Sequence, residues 1–302
     1  MNGKRSLLGI ESLPTEDIVS ILRLARRFQK SRPKPHFKEK RIALLFYEAS
    51  TRTRVSFEFA AKVLGATTTL VNATASSIEK GESLLDTGYT ITALGADVII
   101  IRHPCSGAPH VLARHVDVPV INAGDGMHEH PSQALLDAYT IQQRKKKLNG
   151  LRVAIVGDIF HSRVARSEVL LLSRFGCKIC LCGPPELAPD TATSLAPGVS
   201  VTRKIGEALR GADVVMVLRI QKERLSSLKL NVDDYIANFQ LTAERLGLAR
   251  RDAILMHPGP IIRGMELSGE LADLPQSTIL DQVHNGVAVR MAILARALDI
   301  KI

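Results

Sequence analysis

Residues 41–54 read Arg-Ile-Ala-Leu-Leu-Phe-Tyr-Glu-Ala-Ser-Thr-Arg-Thr-Arg. The apolar run that ends at Phe46 predicts a buried strand, and the pattern from Val55 to Leu64 predicts a helix. Residues Ser50 to Thr53 then stand at the start of that helix, where backbone N–H groups are unpaired and the helix dipole is positive. Their three hydroxyls and one guanidinium are suited to hold a phosphate. Ordinary capping of the helix by a hydroxyl explains the stretch equally well, so both interpretations stay open here.

Apolar runs and amphipathic stretches alternate through the rest of the chain. Strands separated by helices need crossover connections, which predicts mostly parallel sheets that bind ligands at the carboxyl ends of their strands. Besides residues 41–46, the predicted strands are Thr67–Asn72, Asp97–Ile101, Val118–Asn122, a strand and loop at Leu151–Asp158, Cys177–Cys182, Asp213–Leu218 and Ala253–Met256.

The chain is long enough for two domains, since 302 residues exceed the roughly 100 to 200 of one ordinary domain. Its composition turns polar and basic from Arg144 to Gly150, so we place the domains at 1–145 and 146–302. The predicted class is α/β, with a mostly parallel sheet flanked by helices in each domain. Helical spacing at Leu13–Lys30 and at about 282–298 predicts terminal helices that bridge the domains, the second packing back on the first domain.

Charge and composition narrow the function. Lys and Arg number 40 against 30 Asp and Glu, giving a net charge of +10, but the basic residues are dispersed and only 4% of residues are aromatic. This pattern argues against nucleic acid and suits small anionic substrates. No apolar run approaches the roughly 20 residues of a membrane helix, and the N-terminus lacks a signal pattern. Four cysteines are too few for a disulfide scaffold, so we expect a reducing cytoplasm.

Polar side chains also follow other apolar runs. Arg102 comes after Val98 to Ile101, His130 and Gln133 come after the run that begins at Val120, and the sequence His-Pro-Gly-Pro at 257–260 comes after Met256. Each of these positions is the predicted carboxyl end of a strand. Their recurrence favours a binding site over coincidence.

Taken together, these motifs resemble the carbamoyltransferases and, among them, the aspartate carbamoyltransferase family, over essentially the whole chain. The resemblance implies carbamoyl phosphate as one substrate, with its phosphate on Ser50, Thr51, Arg52, Thr53 and Arg102. It places Thr53, Arg102 and His130 near the carbonyl oxygen. It also implies that Gln133 and the backbone at Gly259 and Pro260 hold the carbamoyl amide.

The same resemblance implies L-aspartate as the acceptor, held by Lys80, Arg163, Arg219 and Gln221, with Lys80 also counted among the catalytic residues. Arginines suit a dicarboxylate and would repel the cationic side chain of ornithine, and ornithine enzymes carry Cys where this chain has Pro258. Ser76 and Lys80 resemble a loop that the family lends to the neighbouring subunit, which implies a homotrimer with shared active sites. A regulatory chain or a dihydroorotase partner is compatible with the family, and no cofactor is implied. The sequence departs from the commonest pattern at Ile262, where relatives often carry Asn before the arginine.

Several other interpretations are weaker. Cys177 to Cys182 lies in a strand pattern without a second ligand pair, and His128-Glu129-His130 lacks helical zinc spacing, so we expect no metal. The turn after Val153 lacks the glycines of a dinucleotide site. A non-catalytic homologue that keeps the fold is a further alternative, which turnover of carbamoyl phosphate with aspartate would separate.

Overall fold

The structure is a computed structural model that describes residues 5–31, 37–72, 81–220, 228 and 230–300. The chain packs into two compact units. The first unit consists of the chain up to Leu136 together with the segment from Val283, and the second runs from Asp137 to Gln282.

The first unit is built on a four-stranded parallel sheet, as the alternation of apolar runs predicts. The strand order is β2-β1-β3-β4. Its elements are α1 (Thr15–Lys30), β1 (Arg41–Phe46), α2 (Thr51–Val63), β2 (Thr67–Asn72), α3 (Leu84–Ala93), β3 (Val98–His103), α4 (Ala108–His115), β4 (Val120–Asp125) and the start of α5 (Pro131–Lys145).

The register of this sheet aligns the carboxyl ends of its strands. Phe46 at the end of β1 pairs with Arg102 in β3, and His103 pairs with Asp125 in β4. The Tyr47 N–H continues the ladder beyond β1 by donating to the Arg102 carbonyl at 2.9 Å. Residues that follow these strands therefore emerge along one edge of the sheet.

An N-terminal segment lies beside β4, and the apolar periodicity of the sequence does not predict it. The Leu7 N–H donates to Val120 O at 2.9 Å, and the Asn122 N–H donates to Leu7 O at 2.8 Å. The carboxylate of Glu129 accepts the Ile10 N–H at 2.8 Å and the Glu11 N–H at 3.2 Å. These contacts connect the start of the chain to the residue before His130.

The second unit holds a five-stranded parallel sheet in the order β7-β6-β5-β8-β9. The edge strand β7 is not among the predicted strands, because its four residues are mostly half-buried and form no apolar run. The elements are the rest of α5, β5 (Arg152–Val156), α6 (Arg163–Ser173), β6 (Lys178–Cys182), β7 (Val199–Thr202), α7 (Ile205–Leu209), β8 (Val214–Val217), α8 (Val232–Phe239), α9 (Ala243–Leu246), β9 (Ile254–Met256) and the start of α10 (Ile279–Ala297).

The last helix belongs to both units. Helix α10 begins in the second unit, and its residues from Val283 onward belong to the first. This agrees with the bridging C-terminal helix that the sequence predicts. Among the described helices, none combines the length and the apolar character that crossing a membrane requires.

Two carboxyl groups meet in the interior of the second unit. Glu168 on α6 and Asp137 on α5 are both fully buried, and their carboxyl groups are close enough to interact. Burial raises the pKa of Glu168 well above its usual range, and the charge of Asp137 adds to the effect. Gln282 extends this pair, because its Nε2 donates to Asp137 Oδ1 at 2.6 Å and its Oε1 accepts the His257 N–H at 2.9 Å.

The raised pKa of Glu168 predicts a pH-dependent stability. The unfolded chain loses this proton near pH 4.5 while the folded chain keeps it. Between the two pKa values the folded state binds more protons, so stability falls as pH rises, by up to about 1.4 kcal/mol per pH unit. Glu168→Gln removes this dependence. In urea unfolding, the free energy of unfolding of the variant should therefore rise relative to that of the wild type between pH 5.5 and pH 8.

The exposed Glu186 supplies the matched control. Glu186→Gln should follow the wild-type curve at both pH values. Parallel curves for the wild type and Glu168→Gln would show that Glu168 carries no proton in the folded state.

Candidate active site

The start of α2 offers its backbone N–H groups without a side-chain cap. Ser50 occupies the N-cap position with an extended backbone, yet its hydroxyl makes no capping hydrogen bond to the described residues. The first turn carries no acidic residue that would neutralise the helix dipole. Thr53 is buried, whereas Thr51 and Arg52 are exposed. The geometry therefore favours the phosphate interpretation of this stretch over the capping interpretation.

Arg102 ends the strand next to β1 and is held in place. Its Nε lies 3.2 Å from Glu48 Oε2, and its Nη1 donates to Ala123 O at 3.4 Å. The arginine side chain is only 16% exposed. A guanidinium fixed in this way can present its remaining donors to an anion with little loss of side-chain entropy.

The Asp125 carboxylate organises the loop between β4 and α5. It is fully buried, and it accepts the Gly107 N–H at 2.7 Å, Asn122 Nδ2 at 2.7 Å and the Glu129 N–H at 3.1 Å. Leaving such buried donors unpaired would cost about 1 to 3 kcal/mol each. Asp125 thus determines the path of the chain into His130.

His130 and Gln133 lie at the start of α5. They are 4% and 8% exposed, and the His130 carbonyl accepts the N–H groups of Gln133 at 2.9 Å and Ala134 at 3.2 Å. Ser132 Oγ lies 3.5 Å from His130 Nδ1. The backbone at both residues is therefore positioned by the helix start, and both follow the strand adjacent to that of Arg102.

In the second unit, a loop after β5 leads into α6. Asp158 is almost fully buried and accepts the His161 N–H at 3.1 Å, while His161 Nδ1 lies 3.0 Å from the same oxygen. The Ser162 hydroxyl caps α6 by accepting the Ala165 N–H at 3.1 Å. Arg163 is the first residue of the helix and is half-buried.

Arg219 follows the neighbouring strand β8. The Leu218 N–H donates to Val156 O at 2.8 Å, so β5 and β8 stay paired to their ends. A Cβ on Gly157 would lie 3.1 Å from Leu218 Cβ, and its φ of 130° also favours glycine. Arg219 is exposed, and it leaves the sheet at the same edge as the loop that leads to Arg163.

The loop after β9 is anchored by a buried pair. His257 Nδ1 accepts the Gly259 N–H at 2.8 Å, so Nε2 carries the ring proton and donates to Glu266 Oε1 at 3.1 Å. The same oxygen accepts the Ile262 N–H at 2.7 Å. Position 262 therefore contributes a backbone N–H, which isoleucine supplies as well as asparagine does. Pro260 is exposed and follows a cis peptide bond.

The predicted site residues form one group in each unit. The first group contains Ser50, Thr51, Arg52, Thr53, Arg102, His130 and Gln133, and the second contains Arg163, Arg219, Gly259 and Pro260. Ser76, Lys80 and Gln221 lie outside the described residues. The motifs do not reveal Glu48, Asp125 and Glu266 as positioning groups. Their only signal in the sequence is an acid within or next to a motif.

Comparison with protein families matches both units. The model described as "Aspartate/ornithine carbamoyltransferase, carbamoyl-P binding domain" covers residues 5–143, and the one described as "Aspartate/ornithine carbamoyltransferase, Asp/Orn binding domain" covers residues 149–297. A Koribacter versatilis protein named aspartate carbamoyltransferase catalytic subunit is 64% identical over 290 residues, 96% of each chain. A Solibacter usitatus protein of the same name is 53% identical over 297 residues, 97% of this chain and 98% of its own.

Solved structures of carbamoyltransferases have folds similar to that of this chain. The catalytic subunit of M. Jannaschii aspartate transcarbamoylase has a TM-score of 0.87 and 34% identity, covering 98% of both chains. Trypanosoma cruzi aspartate transcarbamoylase in complex with carbamoyl phosphate and aspartate has a TM-score of 0.86 and 32% identity, covering 96% of this chain and 95% of its own. Pyrococcus furiosus ornithine carbamoyltransferase has a TM-score of 0.89 and 28% identity, covering 99% and 98%.

Fold and site together define a two-unit α/β protein with anion-directed groups at the carboxyl ends of parallel strands. The chain belongs to the aspartate/ornithine carbamoyltransferase family.

The Glu266 anchor yields a prediction for the loop after β9. Glu266→Leu leaves two buried donors, on His257 and Ile262, without their acceptor, so it should lower the free energy of unfolding by about 3 kcal/mol. Glu266→Gln keeps an acceptor oxygen and should cost less than half as much. Urea unfolding of both variants measures the difference. Equal losses would mean that volume rather than hydrogen bonding matters at this position.

Proposed function

We propose that this chain transfers the carbamoyl group of carbamoyl phosphate to the amino group of L-aspartate, giving N-carbamoyl-L-aspartate and phosphate for pyrimidine biosynthesis. The observation that carries the proposal is the uncapped start of α2 beside the held guanidinium of Arg102. The relatives named aspartate carbamoyltransferase supply the acceptor.

The chemistry proceeds by direct transfer. The aspartate nitrogen attacks the carbamoyl carbon, the bond from that carbon to the bridging oxygen breaks, and phosphate leaves with the amine proton. Ser50 to Thr53 and Arg102 bind the phosphate, and Thr53, Arg102 and His130 donate to the carbonyl oxygen as it gains negative charge. We assign the carbamoyl amide to Gln133 and to the backbone at Gly259 and Pro260, as the resemblance implies. Because these donors are fixed before binding, no covalent intermediate is needed.

Aspartate is favoured over ornithine by charge. Arg163 and Arg219 can each pair with a carboxylate, whereas the cationic side chain of ornithine would be repelled by both. Gln221, which lies outside the described residues, is assigned to aspartate on the resemblance alone. The fold alone does not separate the two acceptors, since an ornithine enzyme shares it with a TM-score of 0.89.

A variant of Arg219 tests the acceptor assignment. Loss of one charge-assisted pair costs about 1.5 to 3 kcal/mol, so Arg219→Ala should weaken aspartate use by roughly ten- to a hundredfold. Binding of carbamoyl phosphate should change by less than about twofold. The measurements are KM for aspartate and direct calorimetry for carbamoyl phosphate, with ornithine as the competing acceptor.

A matched control keeps this test specific. Arg174, at the far end of α6, offers a matched loss of one arginine, and Arg174→Ala should leave both constants unchanged. Equal weakening of both substrates in Arg219→Ala, or faster turnover with ornithine than with aspartate in the wild type, would refute the assignment.

The active oligomer is proposed to be a homotrimer with shared sites. The support is the similarity of Ser76 and Lys80 to a loop that the family lends to a neighbouring subunit. The resemblance is also compatible with a regulatory chain or a dihydroorotase partner. The cytoplasm remains the expected compartment, and the four cysteines are free thiols.

Complementation tests the shared site. Arg52→Ala and Lys80→Ala should each be nearly inactive, while a refolded equal mixture should recover roughly a quarter of wild-type activity. Each site then needs Arg52 from one chain and Lys80 from its neighbour, a combination with a probability of about one in four. Native mass spectrometry confirms that hybrids form. Hybrid trimers no more active than the parents would show that Lys80 does not act across subunits.

A further inference from the structure

Two histidines and an aspartate from separate elements meet beside the β4–α5 loop. They are His110 on α4, Asp125 at the end of β4, and His128 in the loop itself. His128 Nδ1 lies 3.1 Å from Asp125 Oδ2, and one ligand atom from each residue lies within 4.8 Å of the others. The two imidazole rings stand edge to face, with centroids 5.4 Å apart.

The protein's own hydrogen bonds do not account for this cluster. His110 Nδ1 is buried but has no hydrogen-bond partner among the described residues. Leaving a buried polar nitrogen unpaired destabilises the folded state unless something outside the chain satisfies it. The carboxylate of Asp125 is already used by Gly107, Asn122 and Glu129, and those bonds hold it in a fixed orientation toward His128.

We propose that His110, Asp125 and His128 bind a divalent transition-metal ion of the zinc class. Two imidazole nitrogens and one carboxylate oxygen are the donors such ions prefer, whereas Mg²⁺ and Ca²⁺ require oxygen ligands. Bonds of about 2.0 to 2.2 Å need donors about 3.4 Å apart, so modest rotations of the rings close the set around one ion. A water molecule would complete a tetrahedron.

The environment suits a neutral, ligating imidazole. Burial lowers the pKa of His110, and the neighbouring His128 lowers it further while Asp125 and Glu129 oppose the shift. The His128 side chain is 31% exposed, which leaves a path for the ion to enter. The backbone N–H groups of Gly107 and Glu129 donate to the Asp125 carboxylate and would orient it as a metal ligand.

This site is separate from the proposed carbamoyl transfer, which uses no metal. It also differs from a zinc motif at His128-Glu129-His130, which the sequence spacing argues against. In the proposed site His128 acts together with His110 and Asp125, and His130 takes no part. A metal here would join α4 to the loop that carries His130, so binding should stabilise the folded chain. Sequence spacing does not reveal the cluster, because His110 precedes β4 and reaches His128 only through the fold.

Cobalt titration tests the proposal on tag-free, chelator-treated, full-length protein. Co²⁺ should bind with one equivalent per chain, give visible absorption bands of tetrahedral strength, and be displaced by Zn²⁺ but not by Mg²⁺. His110→Ala and His128→Asn should each weaken binding by at least tenfold. Zn²⁺ should raise the melting temperature of the wild type and leave that of either variant unchanged.

Two further variants identify competing sites. His115→Ala removes an exposed histidine from the same helix, and Cys105→Ser removes the exposed thiol near His103. Both should bind Co²⁺ like the wild type. Circular dichroism checks that His110→Ala folds, and His110→Gln replaces it if it does not. The proposal is overturned if no Co²⁺ binds at 1 mM (a roughly 4 kcal/mol threshold), if the His110 and His128 variants bind normally, or if a control variant loses binding equally.

Discussion

The parallel register of the first sheet is the constraint on which the candidate site depends. Phe46 pairs with Arg102 and His103 pairs with Asp125, so every strand that carries a motif ends at one edge of the sheet. Strand pairing thereby brings residues that are far apart in sequence to the same edge of the sheet, and no direct contact between their side chains is needed. The second sheet repeats the arrangement, with β5 and β8 paired to the residues that precede the loops of Arg163 and Arg219.

Two buried carboxylates hold the loops that follow the aligned strands. Asp125 accepts the backbone N–H groups of Gly107, just before α4, and of Glu129, in the β4–α5 loop, and Glu266 accepts hydrogen bonds from both His257 and Ile262. Each is fully buried, so the loops it holds cannot move without stranding donors. Reactions that develop negative charge benefit from donors that are already in place, since no reorganisation is needed as the charge forms. The stability of the loops and the proposed catalysis therefore have a common origin.

Much of this could be predicted from the sequence, and the exceptions have physical reasons. Strands β1 and β2 span the predicted residues 41–46 and 67–72, because β-branched and apolar residues are concentrated in both stretches. The apolar pattern does not predict the edge strand β7 or the segment at Leu7, because pairing at a sheet edge needs backbone groups rather than an apolar pattern. The start of α2 could not be decided from residue types alone, because a serine N-cap and a phosphate site look alike until the hydroxyl's partners are known. Asp125, Glu266 and the cluster at His110 depend on contacts that only the fold creates.

Binding of inorganic phosphate tests the central claim most directly, because the claim is that the carboxyl edge of the first sheet holds the anion. Arg102 and Arg41 lie near opposite ends of paired strands, so they make a matched pair within one sheet. Calorimetry should show that Arg102→Ala weakens phosphate binding by at least tenfold, a loss of about 1.4 kcal/mol or more, while Arg41→Ala binds like the wild type. Equal binding by the two variants, or a larger loss in Arg41→Ala, would contradict the account.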